Sequence, residues 1–246
     1  MFSFFKFSKV KPNLSFIGVD MHNHLLPGLD DGLGEPEQTI EFIKELKELG
    51  YRKLICTPHI ITDMYPNGPQ TILPKLDLIR SMLKEQNIDM PIEAGAEYMV
   101  DTDFETYLQS GKPLLTFCNK HILIEMSYIA ASNNIEQVIF QLRMKGYKPI
   151  LAHPERYTYY YNNFEQYHRF IDLGCILQVN LLSLLGYYGP GIQKTAERLF
   201  KEKMVTLVGT DMHHETHLQA LKDLSAKKSF YKLLKSYDIK NSELLG

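Results

Sequence analysis

The chain has 246 residues, 44% hydrophobic and 23% charged, enough to bury one core of barrel size, so a disordered chain is a poor reading. Its 27 basic and 29 acidic residues leave a formal net charge of -2, which gives no basic footprint for nucleic acid, and any anionic substrate must be met locally. Cys56, Cys118 and Cys175 stand far apart with no CxxC pair, which argues against a disulfide framework or a thiolate zinc cluster and fits a reducing cytoplasm.

The opening MFSFFKFSKVKPNLSF is aromatic and basic, but Lys6, Lys9 and Lys11 interrupt each apolar run before it reaches signal-peptide or membrane-span length. Residues 1–15 read as an N-terminal extension packed on one domain spanning 1–246, with an interfacial membrane anchor as the alternative. Residues 16–21 (FIGVDM) begin the domain as a strand. Pro36 then suits a first helical turn, and Ile40, Ile43, Leu46 and Leu49 recur at helical spacing until Gly50. A strand over 53–57, a helix over 71–86, a strand over 91–96 and a short helix over 103–110 follow. The spacing next predicts strand 121–126, helix 134–145, strand 148–152, helix 164–173, strand 175–180, helix 190–203, strand 204–210 and a helical C-terminus. About seven strands each lead into a helix, the pattern of βα units around a parallel sheet. A doubly wound open sheet would alternate in the same way as a barrel.

The strand ends carry the chemistry. His22 and His24 follow the first strand, His59 the second, Glu97 the third, Glu125 ends the fourth, His153 follows the fifth, and Asp211 and His213 follow the seventh. Parallel α/β folds build their sites at the carboxyl ends of strands, so residues remote in sequence should converge there. An H-x-H pair on extended backbone points both rings to one face, where they can grip a single ion. The N/O donor set suits zinc, manganese or iron. The turn LLPGLDDG brings Asp30 and Asp31 back over the same mouth, although both also read as turn formers before Gly32. His121 and His168 read as surface or core residues.

The motifs DMHNH, TPH, GAE, IE, AHPER and TDMH resemble, in order and spacing over about residues 18–220, the polymerase and histidinol phosphatase (PHP) superfamily. Within it, HNHLLPGLDDG and AHPERY look like the bacterial manganese-dependent tyrosine phosphatases encoded with capsular and exopolysaccharide genes. The resemblance implies an α/β fold, a distorted (β/α)7 TIM-like barrel, with up to three divalent ions at its mouth: Mn2+, with Fe, Zn or Mg possible. Carried over, His22, His24, Glu97 and Asp211 hold the first ion; Glu97, Glu125 and His153 the second, with Glu97 bridging; Asp31, His59 and His213 the third. Asp30 takes no ligand role and is expected to cap the turn or support a ligand.

The implied chemistry is phosphomonoester hydrolysis. A water shared between two cations becomes hydroxide near neutral pH and attacks phosphorus in line. Arg156 serves as phosphate clamp, because a guanidinium matches phosphate with two parallel hydrogen bonds, and Glu97 and His59 count with it as catalytic. The implied partner is a phosphotyrosine protein, a membrane-associated bacterial tyrosine kinase tail, met in the cytoplasm; the alternatives are a small-molecule phosphatase such as histidinol-phosphate phosphatase and a non-catalytic metal-binding scaffold. One departure is that TDMHHETHLQALK lacks the second arginine common in this branch, with His214 and His217 as candidates in its place. Tyr157, Tyr159, Tyr160 and Tyr161 offer rings for an aryl group, ordinary packing being at least as good an account.

Other mechanisms fail on spacing. A cysteine phosphatase needs arginine six positions after its thiolate, and those positions are Thr62, Ile124 and Leu181. The stretch HHETH is one residue short of a zinc-protease HExxH turn. The stretch DTDFET lacks the β-branched strand that should precede an aspartyl-phosphate loop.

Overall fold

The computed structural model describes residues 13–245 and alternates short parallel strands with helices. Strand β1 (Val19–Asp20), helix α1 (Pro36–Glu48), β2 (Lys53–Cys56), β3 (His59–Ile60) and α2 (Pro69–Glu85) come first. They are followed by β4 (Ile92–Ala94), β5 (Glu97–Met99), α3 (Thr102–Gln109), β6 (His121–Glu125) and α4 (Ile135–Met144). Next come β7 (Lys148–Ala152), α5 (Glu165–Asp172), β8 (Ile176–Asn180), α6 (Pro190–Lys201) and β9 (Val205–Gly209), then α7 (Glu215–Ser225) and α8 (Lys228–Lys235). The strands pair in parallel in two sheets, ordered β1-β2-β4 and β3-β5-β6-β7-β8-β9, so the fold is mixed α/β with parallel sheets.

Three expectations need correction. The strand expected over 16–21 is reduced to Val19–Asp20, because residues 14–17 close a turn in which Ile17 N donates to Leu14 O. The second expected strand stops at Cys56 and resumes at His59, since Pro58 has no N–H for the ladder. The third divides into β4 and β5 around Gly95–Ala96, so Glu97 begins a strand instead of following one. Backbone bonds bridge these interruptions, Gly95 N donating to Cys56 O at 2.9 Å and Glu97 N to Pro58 O at 3.0 Å. Residues 1–12 of the expected N-terminal extension lie outside the described residues. Leu14, just beyond them, is buried, and its N–H donates to Leu49 O at 2.6 Å.

Two apolar layers position the site. One fills the space between strands and helices, where Ile40, Ile43 and Leu46 of α1 meet Leu54 and Cys56 of β2. The other lies on the inward strand faces and contains Val19, Ile55, Leu123, Ile150 and Leu207, with Leu244 from the C-terminal turn Asn241–Leu245. Side chains two apart on a strand share a face, so the face that carries Leu123 carries Glu125 next, and the face with Ile176 carries Gln178 and then Asn180. The inward face therefore turns from apolar to polar toward the carboxyl ends.

The segments that follow β9 and β1 hydrogen-bond to one another. Asp211 N donates to His22 O at 2.8 Å, His24 N donates to Met212 O at 2.9 Å, and Asn23 forms a parallel bridge with Met212. Lower down, the Asn241 amide donates to Val19 O and Val208 O and accepts from Val208 N. No helix among the described residues is long and apolar enough to cross a membrane.

Candidate metal centre

His22 and His24 are fully buried with their rings on one side of the extended segment after β1. Asn23, between them, turns the other way and donates to Asp20 Oδ2 and Ile55 O. The room for these rings comes from absent side chains. A Cβ on Gly209 would stand 2.6 Å from His22 Cβ, and one on Gly32 would stand 2.1 Å from His24 O.

The protonation of His22 follows from a chain of buried hydrogen bonds. Asp211 Oδ2 can only accept, so the Asn180 atom 2.6 Å from it is the amide nitrogen, and Asn180 Oδ1 then accepts from Gln178 Nε2 at 3.0 Å. That leaves Gln178 Oε1 to accept from His22 Nδ1 at 2.7 Å. His24 Nδ1 donates likewise to Asp30 Oδ2, also at 2.7 Å. Both rings therefore direct Nε2 inward.

What these nitrogens face is the central observation. His22 Nε2 lies 3.3 Å from His24 Nε2, 3.1 Å from Glu97 Oε2 and 3.3 Å from Asp211 Oδ1, and His24 Nε2 lies 3.3 and 3.5 Å from the same two oxygens. Four acceptor atoms thus converge in a buried place, which is repulsive unless positive charge sits between them. Ligands of one tetrahedral ion, with bonds of roughly 2.1 Å, stand about 3.4 Å apart, so the separations fit a divalent cation. A proton is the alternative charge: burial opposes it on His22, but Glu97 and Asp211 outweigh burial and lift the imidazole to about 9.

Two further groups adjoin. His59, Glu97 and Glu125 bring their donor atoms together, with His59 Nδ1 at 3.1 Å from Glu125 Oε1 and 3.3 Å from Glu97 Oε2. His24, Asp31, His59 and His213 form the other, with Asp31 Oδ1 at 3.6 Å from His59 Nε2 and 3.5 Å from His213 Nε2. Glu97 Oε1, Glu125 Oε1 and His59 Nδ1 are buried without a hydrogen-bond partner. Burial and the charge on Glu97 push the Glu125 carboxyl up. Buried oxygens that only accept and make no hydrogen bond, with imidazole nitrogens beside them, are what a cation would satisfy.

The structure brings together all four residues of the first expected set, and it groups the residues of the other two differently. The second group contains His59 where His153 was expected, although His153 Nε2 is still 3.1 Å from Glu97 Oε1. The third gains His24 beside Asp31, His59 and His213. Asp30 takes the supporting role expected of it: Oδ1 caps the Gly32 N–H, and Oδ2 accepts from His24 and from the His59 backbone N–H at 2.8 Å. His153 and Asp211 both sit at positive φ, 33° and 51°, a conformation that costs roughly 1–3 kcal/mol for residues with a Cβ and tends to cluster at functional sites.

Arg156 reaches the centre through Asp211, its Nη1 donating to Oδ2 at 3.0 Å. The guanidinium lies over Tyr128 at 4.4 Å and Tyr188 at 4.7 Å, both of which border the same cleft of about 440 Å³. The tyrosines of the 157–161 run do not border it; Tyr157 is fully buried and donates to Ala152 O, so packing is their role. His214 and His217 do border it. Burial and the neighbouring His214 push His217 down to about 4. Gln178 and Asn180 are the residues the sequence reading missed; two amides two apart in the otherwise apolar ILQVN were the available signal. Tyr128, alone in its loop, and Tyr188, the second of the pair Tyr187–Tyr188, gave none.

Known proteins resemble this chain in sequence and fold. The profile of a family described as "Capsular polysaccharide synthesis, CpsB/CapC" matches residues 18–238. Tyrosine-protein phosphatase YwqE of Bacillus subtilis is 29% identical over 196 residues, covering 80% of this chain and 77% of the relative. Tyrosine-protein phosphatase CpsB of Streptococcus pneumoniae is 27% identical over 232 residues, covering 91% and 96%. A solved structure from work on these two, called unique metal-dependent tyrosine phosphatases, superposes with a TM-score of 0.77 at 28% identity, covering 92% of this chain and 94% of the other. The lactonase Lmo2620 of Listeria monocytogenes, at 12% identity and a TM-score of 0.52 over 94% and 91%, shares the fold alone.

Proposed function

The chain belongs to the CpsB/CapC family of capsular polysaccharide synthesis, and on that premise we propose that it is a metal-dependent tyrosine-protein phosphatase acting on phosphotyrosine proteins of capsule or exopolysaccharide synthesis. The observation that carries the reading is the face-to-face placement of His22 and His24 Nε2 beside Glu97 and Asp211. The hydrogen bonds between the segments that follow β9 and β1 support a distorted seven-stranded (β/α) barrel, in which β2 with β3, and β4 with β5, act as single strands.

His22, His24, Glu97 and Asp211 would hold one divalent ion. His59 decides the rest: a neutral imidazole has one lone pair, so it serves either Glu125 through Nδ1 or Asp31 and His213 through Nε2. Placing it with Asp31 and His213 leaves Glu97 and Glu125 to be completed by His153, which burial holds neutral, down to about 4. The ions, Mn2+ in this reading, would supply positive charge for the phosphoryl oxygens and a nucleophile from solvent.

The chain's own groups do the remainder. Arg156 is fixed by Asp211 and by two tyrosine rings, so its remaining N–H groups are oriented before substrate arrives and donate to phosphoryl oxygens. Gln178 holds the His22 tautomer, and Asn180 holds Asp211. Tyr128 and Tyr188 flank the place where an aryl ring would stand. A phenol, with a pKa of about 10, leaves more readily than an alkyl alcohol. We assign the protein to the cytoplasm, where its three free cysteines stay reduced and the tail of a membrane-associated tyrosine kinase is its substrate.

Turnover of a phosphotyrosine peptide and of histidinol phosphate is the test, measured as purified, after chelation and after adding back Mn2+. The expected result is peptide hydrolysis that chelation abolishes and Mn2+ restores. A higher kcat/KM for histidinol phosphate overturns the substrate assignment, and full activity in chelator overturns the metal mechanism.

A further inference from the structure

Two loops at the mouth of the cleft are built alike. In the first, after β3, Ile61 and Tyr65 pair across a tight turn, with Ile61 N donating to Tyr65 O at 3.0 Å and Tyr65 N to Ile61 O at 2.8 Å. Tyr65 stacks on the His59 ring at 5.6 Å, and Met64 beside it projects with 66% of its surface exposed. In the second, after β6, Tyr159 OH ties down Ser127 O, and Tyr128 rests against His153 and Arg156. Ile129, next to Tyr128, projects with 92% of its surface exposed.

In each loop one aromatic residue is fastened to the centre and its neighbour holds an apolar side chain in water. Nothing in the described chain covers Met64 or Ile129, although both border the cleft that holds the candidate ligands. Single exposed apolar side chains are common on protein surfaces, but two on anchored loops at the rim of one cleft form a contact surface. The 127–133 loop carries no charged side chain, and the other loop carries one, the exposed Asp63 beside Met64.

We propose that Met64 and Ile129 are apolar lips that bind the polypeptide on either side of the phosphotyrosine and favour an apolar residue next to it. The proposal rests on the phosphotyrosine reading and deepens it. A free phosphomonoester reaches the ligand cluster and Arg156 without spanning both loops. A peptide whose tyrosine enters the cleft must lay its neighbouring residues across the rim. Burying one aliphatic side chain contributes roughly 1.5 kcal/mol or more, about tenfold in affinity.

The test compares the wild type with the double variant Met64→Ser/Ile129→Ser. Substrates are para-nitrophenyl phosphate and two phosphotyrosine peptides that differ only in having Leu or Asn on both sides of the phosphotyrosine. For the wild type, KM for the Leu peptide is expected to be about tenfold below that for the Asn peptide. For the double variant, that preference is expected to disappear, and the ratio of kcat/KM for the Leu peptide to that for para-nitrophenyl phosphate to fall about tenfold, through KM. Equal KM values for both peptides in the wild type overturn the proposal. So does an unchanged ratio in the variant, including the case where the variant turns out to be less self-associated than the wild type by sedimentation. If neither ester nor peptide is hydrolysed by the wild type with Mn2+, the phosphatase reading itself has failed, and with it the lips.

Discussion

At the amino ends of the strands, Lys53 is buried with a partner for each ammonium proton: Glu93 Oε1 at 3.0 Å, Leu244 O at 2.8 Å and Cys118 Sγ at 3.3 Å. At the carboxyl ends, equally buried Glu97 and Glu125 each keep an oxygen that makes no hydrogen bond, and two imidazole nitrogens face one another. Both ends put charge where water is scarce, yet only one resolves it with the chain's own atoms. The satisfied end closes the bottom of the apolar interior, where Leu244 joins Val19, Ile55 and Leu207. The unsatisfied end leaves its balance to something from solution, which is how a stabilising cluster differs from a binding one.

Substitutions at the two ends should therefore separate activity from stability. The largest effect is expected from Glu97→Gln, which keeps the volume and removes a charge that faces both His22 and His59: kcat/KM for a phosphotyrosine peptide should fall about a thousandfold, about 4 kcal/mol. Thermal unfolding of the metal-free variant should occur no lower than that of the metal-free wild type. A lower midpoint would mean the cluster is structural after all.

Lys53→Ala should do the reverse. Leaving the Leu244 carbonyl and Glu93 without their donor should cost about 2 kcal/mol, and the midpoint should drop by about 4–8 °C, while activity per folded molecule stays at the wild-type value. Loss of activity in molecules shown by circular dichroism to be folded would break the division between the two ends.

Gln178→Met keeps the side-chain length but gives His22 Nδ1 no strong acceptor. Affinity for Mn2+, read by competition with a chromophoric chelator, should weaken about 10- to 100-fold. Gln178→Glu restores an acceptor for Nδ1 and should recover more of that affinity than Met does; equal losses in both variants would remove the tautomer argument. The smallest effect is expected from Asp31→Asn. Its carboxylate is half exposed, and His213 holds it down to about 2, but solvent screens the interaction, so activity should fall only about three- to tenfold.

Much of the centre was legible because it depends on local geometry. The H-x-H spacing already put His22 and His24 on one face, and the DDG turn already placed Asp30 to cap Gly32. The alternation of apolar runs and amphipathic stretches located α1 to α6 to within a few residues, since burying one face of a helix sets a period that the sequence must carry. The breaks at Pro58 and Gly95 were visible as residues, but their effect on the ladder appeared only once the partner strands were in place.

The sequence by itself determined which donor atoms stand at the strand ends, because side-chain parity along a strand is local. Only the tertiary structure decided that His59 lies between two groups, that Gln178 and Asn180 join His22 to Asp211, and that Tyr128 and Tyr188, not the 157–161 run, flank Arg156. Those relations span chain separations of up to 156 residues. They depend on the register and curvature of neighbouring strands, which are set by how the whole core packs.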